Sequence, residues 1–167
     1  PDAMTMAKGI GGAGLPLGGM MYHEEYETWD AGGHVGTFRG NVPAMRGGTA
    51  AIEYIQHHNL LEHATELGEY MRTRLRELET NHVAAVRGKG LFIGAEFVDS
   101  DGSPEKKLVK KVRKRCYENG VLVWKAGRNG NVLRLLPPLV TTKEQAETGM
   151  NIVCEAIRTI TDEVPTA

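Results

Sequence analysis

From residue 59 onward the apolar residues recur at helical spacing. Leu60, Ala64, Leu67, Met71, Leu75 and Leu78 fall at steps of three and four with charges between them, which predicts an amphipathic helix lying on a core. Leu91 to Val98 reads as a strand, and Asp101-Gly102 after it as a turn. Ser103-Pro104-Glu105 has the order of cap, proline and acid that opens a helix, with Leu108, Val109, Val112 and Cys116 as its buried stripe. Val121 to Trp124 and Val132 to Leu136 predict two further strands, the second stopped by Pro137-Pro138. Thr142 with Gln145 forms a capping box for a last helix, whose core side is Ala146, Met150, Val153, Ile157 and Ile160. Residues 59–167 are therefore expected to form an α+β unit able to hold together by itself.

Residues 1–58 are patterned differently. Met4 to Ala7 and Leu17 to Tyr22 are apolar runs without alternation, as in strands buried on both faces of a mixed or parallel sheet. Two such strands cannot make that sheet alone, so this part reads as incomplete. His23 to Trp29 suggests a short helix closed by Gly32 and Gly33. Asn41 caps a following helix with Pro43 in its first turn. That helix carries Ala44, Met45, Gly47, Gly48, Ala50, Ala51 and Ile55, small residues that suit close packing. The whole chain is expected to be α/β.

Composition adds exclusions. The 167 residues are 41% apolar and 25% charged with a net charge of −1, which rules out disorder and gives no general attraction for nucleic acid or anionic membranes. No run approaches the ~18 apolar residues of a membrane span, and the first residues lack the pattern of a signal peptide. Cys116 and Cys154 stand alone, without a CxxC or a disulfide framework, which fits a reducing, cytoplasmic compartment. Glycine is the unusual residue, at 21 of 167 against a norm of ~7%, and it crowds the first fifty positions. The chain starts at Pro1 and is expected to be processed or part of something longer.

Gly9-Ile10-Gly11-Gly12-Ala13-Gly14 matches GxGxxG after a strand, but it leads into Leu15-Pro16-Leu17, which cannot be the helix a dinucleotide fold needs there. Lys8, between the strand and this loop, is a candidate Schiff-base lysine if partly desolvated; a solvated lysine at a strand end is the commoner case. His57, His58 and His63 lie close in sequence but do not share a helix face well, and no HExxH is present, so no metal is expected. Lys106 to Arg115 holds seven positive charges. Without aromatic platforms or a recognised module, it reads as a solvated helix face rather than a nucleic-acid site. Arg134 lies inside the apolar run VLRLLPPL, where a guanidinium must meet an internal acid or await a ligand carboxylate. Arg39 and Arg87, in glycine-rich turns, are weaker candidates.

The segment PDAMTMAKGIGGAGLPLGG resembles the cofactor-lysine segment of the class III, pyridoxal-phosphate-dependent aminotransferases. VRGKGLFIGAEF and VLRLLPPLVTTKEQ are similar to that family's C-terminal signatures, in the right order and spacing. GTFRGN, within GHVGTFRGNVPAMRGGTAAIEYI, is similar to the diaminobutyrate–2-oxoglutarate aminotransferases. The resemblance implies a fold-type I architecture. Residues 1–58 would be the lysine-bearing, incomplete part of the large domain, and 59–167 the C-terminal small domain. It implies that Lys8 bonds covalently to pyridoxal 5′-phosphate and later shuttles a proton between the substrate carbon and cofactor C4′. Thr37 would contact the cofactor phosphate across a homodimer interface, and Arg134 would clamp a carboxylate of 2-oxoglutarate or glutamate.

The family's phosphate-binding turn, ring-stacking aromatic and ring-nitrogen aspartate all precede the lysine, whereas seven residues precede Lys8 and Asp2 belongs to the lead-in. The isolated chain is therefore expected not to transaminate. Two alternatives stay open: another ω-amine donor such as 4-aminobutyrate or ornithine, or a non-catalytic interaction fragment.

Overall fold

The computed structural model describes residues 1–12 and 14–163; Ala13, inside the glycine run, and residues 164–167, at the end of the expected second domain, lie outside the described residues. Two compact units are present, Pro1–Asn59 and Leu60–Ala167.

In the first unit, β1 (Ala3–Ala7) and β2 (Gly18–Tyr22) pair with each other, antiparallel, from Ala3 opposite Tyr22 to Ala7 opposite Gly18. A single 3₁₀ turn, Lys8–Gly11, follows β1. The expectation of strands buried on both faces is corrected: Met4, Met20 and Met21 are exposed, and these two strands form a ladder with no third member among the described residues. The helix expected over residues 23–29 is one 3₁₀ turn, Glu24–Tyr26, packed near an edge-on contact of Tyr22 with Trp29. Helix α1 (Val42–His57) begins as its sequence predicts, with the Asn41 side chain accepting from the Ala44 amide at 3.1 Å.

α1 meets the Lys8–Gly11 turn through glycine. Gly12 has φ +63, and a Cβ there would collide with the Gly47 carbonyl of α1. A Cβ on Gly48 would likewise strike the Ile10 carbonyl. Only glycine lets the two backbones approach this closely, and that contact fixes the turn on which Lys8 stands.

The second unit is a four-stranded antiparallel sheet carrying helices on one face. α2 (Leu60–Arg76) leads to β3 (Val83–Lys89) and β4 (Phe92–Phe97), then α3 (Lys106–Glu118), β5 (Trp124–Ala126), β6 (Val132–Leu135) and α4 (Lys143–Asp162). The strand order is β3-β4-β6-β5. Alternation sends Ile93, Ala95 and Phe97 of β4, with Leu133 and Leu135 of β6, into the core. There they meet Leu67, Met71 and Leu75 of α2, Val109 and Val112 of α3, and Val153 and Ile157 of α4. Each of these larger side chains contributes roughly 1.5–3 kcal/mol of burial.

Three details differ from the sequence reading. β3 was not expected at all, because its small residues and arginine show no apolar run. α3 is capped by Glu105, whose carboxylate accepts from the Lys107 amide at 2.6 Å, not by Ser103. The Ser103 amide is taken instead by Asp99 and Asp101. The strand expected over 121–124 runs from 124 to 126, shifted by the left-handed Gly120 that ends α3.

Candidate active site

Lys8 follows the last rung of the β1–β2 ladder and opens the 3₁₀ turn. Its φ is +59, the left-handed region that a side chain with a Cβ seldom adopts. Such strain persists where the surroundings enforce it, and residues of this kind cluster at functional sites. Here the enforcing contact is the glycine packing of Gly12 and Gly48 against α1 and the turn. Lys8 is exposed, so the partial desolvation expected from its strand-end position is absent in this chain. Among the described residues its amine makes no ion pair and no hydrogen bond, which leaves the nucleophile free. The glycine run after it passes into β2 rather than a helix, as the rejection of a dinucleotide site requires.

Thr37 stands in an exposed turn ahead of α1, in which the Arg39 amide donates to the Gly36 carbonyl at 3.0 Å. Its hydroxyl is available to a ligand. Lys8 and Thr37 both belong to the first unit, and Arg134 to the second.

Arg134 is the third of the four residues of β6, between the buried Leu133 and Leu135, so it projects to the face opposite the core. Its rung partners are Gly94 on β4 and Trp124 on β5. Arg134 Nε is buried and has no hydrogen-bond partner among the described residues. The carboxylate two residues along β4 from Gly94 is Glu96, and it is already committed: Arg87 donates to Oε2, and Asn131 Nδ2 to Oε1 at 3.4 Å. The Arg87 bond holds the Glu96 carboxyl below its usual range. Among the described residues no acid pairs with Arg134, and a buried N–H without a partner there leaves room for an added acceptor. The guanidinium lines a cavity of ≈ 670 Å³ together with Trp124, Tyr117 and Arg113. Arg113 stacks over the Trp124 ring at 4.9 Å and donates to the Val123 carbonyl at 3.2 Å. Sequence reasoning missed Trp124 as a neighbour of Arg134. The signal that could have found it was strand register, which the misplaced β5 hid.

His63 Nε2 donates to the Thr141 carbonyl, 2.8 Å away, and so ties α2 to the segment before α4. Among the described residues no three His, Cys, Asp or Glu side chains gather as metal ligands would. No helix among them is long and apolar enough to cross a membrane.

The model of the class-III aminotransferases matches residues 1–157. The chain belongs to that family. A diaminobutyrate–2-oxoglutarate aminotransferase of Rhizobium meliloti (strain 1021) is 36% identical over 88% of this chain and 33% of its own length. An alanine/serine racemase of Pyrococcus horikoshii is also 36% identical, over 98% of this chain and 35% of its own. Among solved structures, a Bacillus anthracis aminotransferase superposes with a TM-score of 0.84 at 31% identity, over 95% of this chain and 39% of that one. The mixed helix-and-sheet architecture is thus shared with aminotransferases, and the chain spans about a third of the length of the curated relatives it matches.

Family membership implies pyridoxal 5′-phosphate. A free primary amine on a backbone-strained turn fits the lysine-bearing side of such a site, with the Thr37 hydroxyl as a phosphate donor.

Proposed function

We propose that this chain is the lysine-bearing C-terminal part of an enzyme that moves the ω-amino group of 2,4-diaminobutyrate to or from 2-oxoglutarate and glutamate. The observation that carries this reading is Lys8 itself: an unpartnered amine held in a left-handed conformation, inside the segment matched by the family. The diaminobutyrate donor is supported by the relative from Rhizobium meliloti and by GTFRGN before α1.

Held at Lys8, pyridoxal phosphate would supply an electrophilic carbon for the donor amine and a ring able to accept an electron pair. Lys8 Nζ would hold the cofactor and, once freed, would carry the proton taken from the donor carbon. Thr37 Oγ1 donates to the phosphate and limits its rotation, within a homodimer in which each subunit's threonine serves the other's site. The Arg134 guanidinium, lacking an internal acid, takes a carboxylate of the donor or acceptor in a planar, two-pronged contact. The carboxylate that would hold the ring nitrogen is not among these residues, and the chain alone is expected not to turn over. Authentic amino transfer by the purified chain would overturn that expectation.

A second reading follows from the Pyrococcus horikoshii relative, named a racemase. There a proton leaves and returns at one carbon and no 2-oxo acid is consumed. With the complete enzyme, production of glutamate from 2-oxoglutarate and 2,4-diaminobutyrate supports amino transfer. Solvent deuterium entering alanine or serine without glutamate supports racemisation. Faster transfer from 4-aminobutyrate or ornithine would move the donor within the family.

The site itself is tested by reducing the chain with borohydride in the presence of pyridoxal phosphate, followed by intact and peptide mass. The expected result is one adduct on Lys8, lost in K8A. No adduct on the wild-type chain would favour a non-catalytic interaction fragment.

A further inference from the structure

A second cavity, of ≈ 580 Å³, opens at the beginning of α3 and is lined by Lys106, Lys107 and Lys110 together with Lys125 of β5 and Arg128 of the turn after it. Among the described residues none of the five makes a salt bridge, and no carboxylate lines the cavity. A space of this volume is about 10 Å across, so the five exposed cations face one another over about a Debye length at 0.1 M salt and their repulsion is only partly screened.

The apolar stripe of α3 explains where Leu108, Val109 and Val112 fall, but not the sign of the residues between them. Helix stability would put acids in the first turn, where the macrodipole is positive. Beyond the Glu105 carboxylate at the cap, α3 has no acid in its first turn and carries Lys106 and Lys107 there. α4, on the same sheet face, shows the ordinary pattern, with Glu144 in its first turn and Lys143 paired with Glu147. Across the cavity the turn Gly127–Gly130 is closed by the Gly130 amide donating to the Gly127 carbonyl at 3.1 Å. Where a side chain would stand on Gly130 there is open space. A compact anion thus has access to the five cations.

We propose that this corner of the second unit binds a multiply charged phosphate anion of tripolyphosphate size. Lysine is a point charge that suits a compact phosphate of high charge, whereas the forked geometry of arginine suits the carboxylate proposed at Arg134. Binding would relieve the repulsion among the five cations. The inference does not rest on the aminotransfer reading.

Calorimetric titration of the full chain with sodium tripolyphosphate tests it. One site per chain is expected, weakening with added salt as charge pairing requires. The exposed pair K125A/R128A should lose about tenfold or more in affinity, each charged contact being a sizeable fraction of the whole. K143A, on α4, should bind as wild type. K106E separates binding from folding: it should bind more weakly while its thermal midpoint stays or rises, since it places an acid in the first turn. Displacement by ATP at similar concentration would assign the handle to a nucleotide's phosphates, and no displacement would assign it to the free anion; both keep the site. Affinity weaker than about 1 mM, several equivalent sites per chain, or K125A/R128A binding like wild type would overturn the proposal.

Discussion

The two units divide the labour of folding and chemistry unequally. Among the described residues of the first unit, only Gly11, Ala44 and Gly48 are buried, while Phe38, Val35, Val42, Met21 and Ile52 stand mostly in solvent. The second unit places some two dozen apolar residues in one cluster that joins three helices to a sheet. The candidate nucleophile belongs to the unit with almost no core. What positions Lys8 is backbone geometry, glycine against helix, where side-chain packing has little to offer. What positions Arg134 is the opposite case, a strand whose neighbours Leu133 and Leu135 lock into a core and leave the residue between them aimed outward. We read the exposed apolar surface of the first unit as one that the remainder of an aminotransferase, or a second copy, would cover.

The sharpest way to break this contrast is to truncate one large apolar residue in each unit. Phe97 is fully buried, and F97A should cost about 3–5 kcal/mol in urea unfolding. Phe38 is 86% exposed, and F38A should fall within about 0.5 kcal/mol. Equal losses would mean that the first unit has a core in solution after all. The next effect concerns glycine. Gly68 of α2 lies against the Gly90 carbonyl, where a Cβ would overlap, and Arg72 donates to that same carbonyl at 2.9 Å. G68A should destabilise by about 1–3 kcal/mol, because backbone must move to admit one methyl. G12A should leave global unfolding nearly unchanged yet slow the formation of the Lys8 adduct, since it disturbs the turn and not the core. Loss of stability as large as that of G68A would show the two glycines to be structural in the same sense.

How far the sequence could be read follows the same division. The stripes of α2, α3 and α4 were legible because burial repeats with the helix period, and the Thr142–Gln145 box was legible because both partners are local. In the structure both bonds of that box form, at 2.9 and 3.2 Å. β3 was not legible: Val83 and Val86 are half-buried, its other residues lie open, and its pairing partner β4 lies beyond a turn. Ser103 misled as a cap because Ser103 and Pro104 pair back onto Asp99 and Val98, so the helix begins after Glu105, a contact that spacing rules do not weigh. The apolar runs of β1 and β2 suggested burial that nothing among the described residues provides. For the site, Lys8 and Arg134 could be marked from the sequence, but not the left-handed turn of the one or the Trp124 neighbour of the other. Both depend on pairing across the fold.

A smaller effect tests the local device just named. T142A removes the cap acceptor of the Gln145 amide and should cost about 1 kcal/mol, read as a shift in the urea midpoint at constant slope. No shift would mean that the first turn of α4 is held by packing alone.

The smallest effect lies on the open face of the sheet, beside Arg134. Arg87 and, after it, Asn131 bond the Glu96 carboxylate and lower its pKa from 4.5. A carboxyl whose folded pKa is depressed adds stability that is fully present above the unfolded value. That stability is lost as pH falls through the folded one. The loss therefore belongs below about pH 4.5 and runs in the acid direction only. Glu96 is partly open to solvent, so screening limits the contribution to about 1 kcal/mol or less. E96Q should flatten the acid limb of stability against pH and leave the plateau near neutrality almost unchanged. It also matters for the comparison with Lys8. Glu96 is the acid that Arg87 keeps from Arg134, and in R87M the freed carboxylate should turn to Arg134 and compete with ligand carboxylates there. Weaker competition by glutarate for the Arg134 cavity in R87M than in wild type, read by quenching of Trp124 fluorescence, is the expected result. Unchanged quenching would show that Arg134 is free for reasons other than the commitment of its neighbour.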